Sequence, residues 1–348
     1  MVCIALILAL VVVVLGAYVR LSDAGLGCPD WPGCYGNMTR WPATKAEVER
    51  ANRAFPQRPV VASKAIKEMV HRYFAGSLGL LILALAVTAV RARRRPQQPV
   101  ALPLALLFLV IFQALLGMWT VTLQLKPVIV MGHLVGGFAT LSLLWWLFLS
   151  GSTWANRSRI NALTRYRTFA FVGTIILICQ IALGGWTSAN YAAAACPDFP
   201  TCQSQWWPHM NFSEAFVLWR GLGLNYEFGV LDNPARMAVH VTYRLGALVT
   251  AVYLVALSSI LFFKTRGRAV RTTSVAVLVL TLLQILIGIS NVILGFPLAL
   301  AAAHTAAAAL LLLSMLTLDF VLVRAAEPTA QEVSRAAAMY TETKDVFS

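Results

Sequence analysis

With 348 residues, 59% of them hydrophobic and 12% charged, the chain is too apolar for a soluble domain, which carries about 25% charged side chains. A formal net charge of +14 would suit nucleic acid. No aromatic-basic cluster or nucleic-acid motif accompanies it, however, and in so apolar a chain basic residues mark the borders of membrane spans.

A lipid hydrocarbon core about 30 Å thick takes roughly 20 apolar residues per helix. Eight segments meet that length, at 2–19, 69–90, 101–123, 128–149, 168–188, 237–263, 272–294 and 298–323, so the chain is predicted to be an all-α membrane protein with eight transmembrane helices. The first segment lacks a basic leading stretch and a small-residue cleavage site, so it reads as a span and not as a signal peptide. Basic residues crowd every second loop. Arg91, Arg93, Arg94 and Arg95 follow the second span, Arg157, Arg159, Arg165 and Arg167 the fourth, and Lys264, Arg266, Arg268 and Arg271 the sixth. This excess puts those loops and both termini on the cytoplasmic side of a bacterial-type inner membrane, with 326–348 as a cytoplasmic tail. Loops 20–67 and 190–235 then face outward. Arg40, Lys45, Arg50, Arg53 and Arg58 in the first of these are spread out and mixed with Glu47 and Glu49.

Of six cysteines, Cys3 and Cys179 lie in apolar runs and are expected to be packed thiols. The others form two close pairs in the outer loops, in "CPDWPGC" from Cys28 to Cys34 and "CPDFPTC" from Cys196 to Cys202. A disulfide closing each loop is the favoured reading, since the outer side is oxidising. Half of a metal site would lack partners and the usual Cys-x-x-Cys spacing, and a redox pair remains open for the first loop. The shared motif is a repeat. A second echo, "QALLGMWT" from Gln113, "QIALGGWT" from Gln180 and "QILIGISN" from Gln284, lies in the outer halves of the third, fifth and seventh spans. Spans one to four and five to eight therefore read as duplicated four-helix units in parallel orientation.

Four of the five histidines lie near the outer ends of even-numbered spans: His71, His133, His240 and His304; His209 stands apart beside Trp206 and Trp207. Any one alone could satisfy a packing contact. Four at one depth, two per repeat, argue for function, because polar groups inside a membrane are expensive. Opposed histidines in a four-helix bundle offer axial nitrogens to an iron porphyrin. Gly76, Gly79, Gly136, Gly137 and Gly246 would leave room for the macrocycle, or serve close helix packing. Glu68 precedes His71 by three residues and shares its helical face. It could relay protons or stabilise a cation on a substrate, or simply pair with Lys64 or Arg72. Arg72 and Arg244 hold equivalent places in the repeats and could bind heme propionates or snorkel to the interface.

These residues resemble the heme A synthase family over about 10–323, on "RLSDAGLGCPDWPGC" from Arg20, "EMVHR" from Glu68, His133 in "MGHLVGG" and His304 in "AAHTAAA". The resemblance implies a membrane enzyme that oxidises the C8 methyl of heme O to the formyl of heme A in two steps, through a gem-diol that loses water. It implies two pseudo-twofold-related four-helix bundles. Residues 1–150 would hold the substrate with His71, His133 and Glu68, and residues 151–325 would hold a heme B cofactor. Heme O synthase and cytochrome oxidase assembly factors would be partners, alongside the lipid bilayer, and a homo-oligomer is compatible with it. The chain departs from the family in the sixth span, where the family's His-Arg pair is Tyr243-Arg244, with His240 one turn earlier. His240 is the expected ligand there. The alternatives are Tyr243, whose phenolate would lower the heme potential, or a heme five-coordinate on His304. A diheme cytochrome passing electrons between a quinol and a partner, or a transporter with histidine proton relays, are the competing functions.

Overall fold

A computed structural model of the chain describes residues 1–95, 98–152, 164–265 and 267–324. Arg157, Arg159, Arg266 and the expected tail 326–348 lie outside the described residues. The long helices are α1 (Val2–Leu21), α3 (Ala62–Arg91), α4 (Ala101–Thr122), α5 (Pro127–Ser150), α6 (Thr164–Ala189), α8 (Asn233–Lys264), α9 (Arg268–Ile293) and α10 (Leu298–Arg324). All eight are long and apolar enough to cross a membrane, as the hydropathy pattern predicts. Two short helices in the outer loops, α2 (Lys45–Ala54) and α7 (Phe212–Ala215), were not expected from it.

Several spans begin earlier than hydropathy alone indicates, because polar first turns are helical too. α3 starts at Ala62, so Glu68 is well inside the helix. α8 starts at Asn233, where the Asp232 carboxylate accepts the Ala235 amide at 2.9 Å and a proline occupies the first turn; an acidic N-cap followed by proline is a helix-start signature. In α2 the Thr44 hydroxyl and the Glu47 carboxylate form a reciprocal capping box.

Within each half the helices close a ring: α1 touches α3, α3 touches α4, α4 touches α5 and α5 touches α1, while α6, α8, α9 and α10 repeat the order. Between the halves α1 lies on α10, α6 lies on α5, and α5 meets α10. That reciprocity is consistent with a pseudo-twofold axis beside α5 and α10. The central element is α10: 67% of its spanning window is buried, against 22–28% for the other seven. Its Leu311, Met315, Leu318 and Leu322 pack with Leu141, Leu144, Leu254 and Leu261 in one continuous core. Side chains such as Phe108, Leu80 and Phe263 point outward, as lipid-facing surfaces require. Cys3 and Cys179 are among them: both are free and exposed, which corrects the expectation of packed thiols.

A donor pair in each half beneath a disulfide-closed loop

The two loops that carry the Cys-Pro-Asp motif are built alike. Cys28 bonds Cys34 and Cys196 bonds Cys202, with sulfurs 2.06 and 1.99 Å apart. Inside the first loop the Asp30 carboxylate accepts the backbone amides of Tyr35 and Gly36 at 2.6 and 2.7 Å. Asp198 does the same for Gln203 and Ser204 at 2.6 and 2.9 Å, and also accepts the Thr201 hydroxyl. That hydroxyl and the two amides hold the Asp198 carboxyl below its ordinary range.

Each loop is clamped from below by an arginine. Arg72 donates to the carbonyls of Asp30, Pro32 and Gly33 at 3.1, 3.1 and 2.5 Å. Arg244 donates to those of Cys196, Asp198, Pro200 and Thr201 at 3.1, 2.7, 3.4 and 2.7 Å. Both guanidiniums thus use hydrogen-bond donors on the loops above them, while Arg244 Nε is buried without a partner.

Glu68, 5% exposed, sits directly under the first loop. One carboxylate oxygen accepts Arg72 at 2.5 Å and the other the Cys28 amide at 2.9 Å. A carboxylate has about four acceptor positions, so two bonds leave it able to accept more. One turn further in, His71 on α3 and His133 on α5 stand on diagonally opposite helices of the ring. The Nδ1 atoms of both are buried without a partner. Glycines make room for the rings: a Cβ at Gly16 would lie 3.0 Å from His71 and one at Gly117 3.4 Å from His133.

The second half repeats the arrangement with one exchange. Tyr243 on α8 stands where His71 stands on α3, and its hydroxyl lies 3.0 Å from Nε2 of His304 on α10. Gly184 and Gly288 receive these two rings as Gly16 and Gly117 receive the histidines, with Cβ contacts of 3.3 and 3.4 Å. His304 Nδ1 is likewise buried and unpartnered. The expected pairing of His240 with His304 is not made. His240 is 3% exposed, its Nδ1 meets the Ala192 carbonyl at 3.1 Å, and its ring edge faces Phe296. Three residues are about 60° short of a full helical turn and about 4.5 Å along the axis, so His240 follows Glu68 to the loop and not His71 to the bundle centre.

The glutamine echo has a structural task. Gln180 donates to the Tyr243 carbonyl and Gln284 to the His304 carbonyl, both at 3.1 Å, holding the backbone beneath each donor. Gly136 and Gly246 make room for Gln113 and Gln180, while Gly76 and Gly79 meet nothing within 4 Å, so the glycines that cradle the donors are not those the sequence suggested. His209 is exposed in the outer loop, away from the set. Sequence reasoning also missed Asp319, 7% exposed within α10, which accepts the Thr174 hydroxyl at 2.6 Å. A lone acidic residue inside an apolar span was the available signal.

Opposed imidazole and phenol side chains, the glycines beside them and unpartnered imidazole atoms thus lie inside a protein with eight membrane-length helices among its described residues. The chain matches the cytochrome oxidase assembly protein family over residues 1–316 and belongs to it. It is similar to the heme A synthase of Shewanella oneidensis, 42% identical over 328 residues, covering 94% of this chain and 97% of that protein. The heme A synthases of Halalkalibacterium halodurans (24% identical; 90% and 93% covered) and Rhizorhabdus wittichii (26%; 89% and 89%) are more distant relatives.

Proposed function

We propose that this protein is a heme A synthase of the bacterial inner membrane, oxidising the C8 methyl of heme O to the formyl of heme A. The observation that carries the reading is the pair His71 and His133, opposed across one four-helix ring with buried, unpartnered nitrogens. The family match and the similarity to the Shewanella enzyme support it. Heme O is the substrate of residues 1–150, held through its iron by the two imidazoles. Glu68, anchored by Arg72 and the Cys28 amide, stabilises positive charge at the methyl carbon and takes the proton of the oxygen nucleophile added there.

Residues 151–325 would hold a second macrocycle, a heme B whose chemistry would be to accept and pass on electrons. His304 and Tyr243 are the residues that would hold it, while His240 fixes the loop above through Ala192. Both termini lie in the cytoplasm. Arg91, Arg93, Arg94, Arg95, Arg165, Arg167, Lys264, Arg268 and Arg271 all belong to that end of the helices, as the positive-inside rule requires. Heme O synthase upstream and oxidase assembly factors downstream are the partners this chemistry calls for.

Hemes extracted from the purified protein and separated by chromatography test the proposal. Heme O and heme A should be recovered together with heme B. Recovery of heme B alone, from cells that make heme O, would make the chain an electron carrier.

A further inference from the structure

Part of the second outer loop belongs structurally to the first half. Residues 216–231 reach across as a strap. Tyr226, 2% exposed, packs with Leu26, Val121 and Leu125, and its amide donates to the Gln124 carbonyl at 3.1 Å. Lys126 donates to the Gly221 carbonyl and stands 3.1 Å from the Trp219 ring centroid. Between these anchors and α8 lies Glu227, whose carboxylate sits 3.3 Å from Arg58 and 3.8 Å from Lys64.

One carboxylate between two cations leaves a positive charge in excess, and a cavity of about 230 Å³ opens onto the same group, lined also by Gly27, Tyr35 and Asn225. Lys64 is one turn outward from Glu68, which is in turn about one turn outward from His71; seven residues of helix rise about 10 Å. That is the reach from a ligated iron to carboxylates on the porphyrin rim. The other half sharpens the contrast. Arg236 holds the place equivalent to Lys64, but its guanidinium is engaged by the Leu231 and Phe228 carbonyls at 2.9 and 3.0 Å. The cation in the first half faces an exchangeable carboxylate instead, and partly exposed ion pairs of this length exchange at little cost.

We propose that Arg58 and Lys64 are the seat of the substrate's propionates, and that Glu227 occupies it as a stand-in carboxylate until a macrocycle enters. The strap is then a latch that the substrate's own acid groups open. This rests on the reading of His71 and His133 as the substrate's ligands.

The test is a Soret titration of the full-length protein in detergent with iron protoporphyrin IX and with its dimethyl ester. Signal belonging to this site is identified by its loss in His71→Ala. Wild type should bind the diacid about tenfold more tightly than the diester. In the Arg58→Gln, Lys64→Gln double variant that preference should vanish with diester affinity unchanged. Glu227→Gln, which removes the competitor, should tighten diacid binding several-fold and leave the diester alone. A preference that survives in the double variant, or a Glu227→Gln that weakens the diacid, overturns the seat while leaving the ligand reading intact. Absence of any His71-dependent signal in wild type sinks the ligand reading itself, and the seat with it.

Discussion

The two halves place the same geometry on different chemistry. In the first, two imidazoles oppose each other and a carboxylate lies one turn outward, beneath the Cys28–Cys34 loop. In the second, a phenol faces the imidazole and the carboxylate's position is taken by His240, which contacts the Ala192 carbonyl. The loops and their arginine clamps are alike on both sides, whereas the glutamine bonds beneath the donors belong to the second half and Gln113 Nε2 in the first is buried without a partner. A duplicated frame has kept the loops and their clamps and varied the side chains beneath them, so a buried carboxylate distinguishes the first half and a phenol the second.

The largest effect should come at Glu68. Glu68→Gln is expected to lower heme A formation about 100-fold or more with hemes still bound, measured by chromatography of extracted hemes. His240→Gln, at the matching position of the other half, should leave product yield at the wild-type level; equal losses would erase the distinction between the halves. Next in size is a spectral change at Tyr243. Tyr243→His should give the second half an opposed imidazole pair and convert its heme spectrum to the low-spin form, whereas Tyr243→Phe should leave a spectrum governed by His304 alone. A spectrum unaltered in both variants would remove Tyr243 from the site.

Removing either disulfide as a double cysteine-to-alanine variant should cost about 2 kcal/mol of stability by loop-closure entropy, read by denaturant unfolding. Only the Cys28, Cys34 pair should also lower heme A yield, because the Cys28 amide holds Glu68. The smallest effect is confined to α2. The Thr44 and Ala43 amides hold the Glu47 carboxyl at about 2, below its unfolded value of about 4.3. The folded value being the lower one, Glu47 stabilises the helix above that unfolded value and the contribution is lost as pH falls towards 2. Hydrogen exchange of the α2 amides in acid should show this loosening, and Glu47→Gln should abolish its pH dependence. In the second half the cap of α7 is Asn211, which does not titrate, so acid should spare it.

Much of the fold was legible because its determinants are local. Hydropathy marks all eight spans, and the repeated Cys-Pro-Asp motif locates both loops. The sixth span was harder: His240 is the chemically obvious partner for His304, but three residues of helical rotation carry it to the Ala192 carbonyl, and the residue that meets His304 is Tyr243, to which the resemblance and the internal repeat both pointed. The strap was not legible at all. Glu227 meets Arg58 across 169 residues of sequence, and no local pattern announces that a polar loop of one half will close over the other. The arginines illustrate the same limit, since the carbonyls that engage Arg72 and Arg244 become acceptors only once the loops have folded above them.

The depth at which α10 lies has a bearing on how the molecule is made. Ribosomes deliver this helix after the seven other described spans, yet it supplies a wall to α1, α5, α6 and α9. Seven inserted segments must therefore wait in the bilayer with an open central groove until the eighth arrives. During that interval the groove is exposed to neighbouring lipids and to quality-control proteases, and a chain that stops short of Leu298 keeps it permanently unfilled.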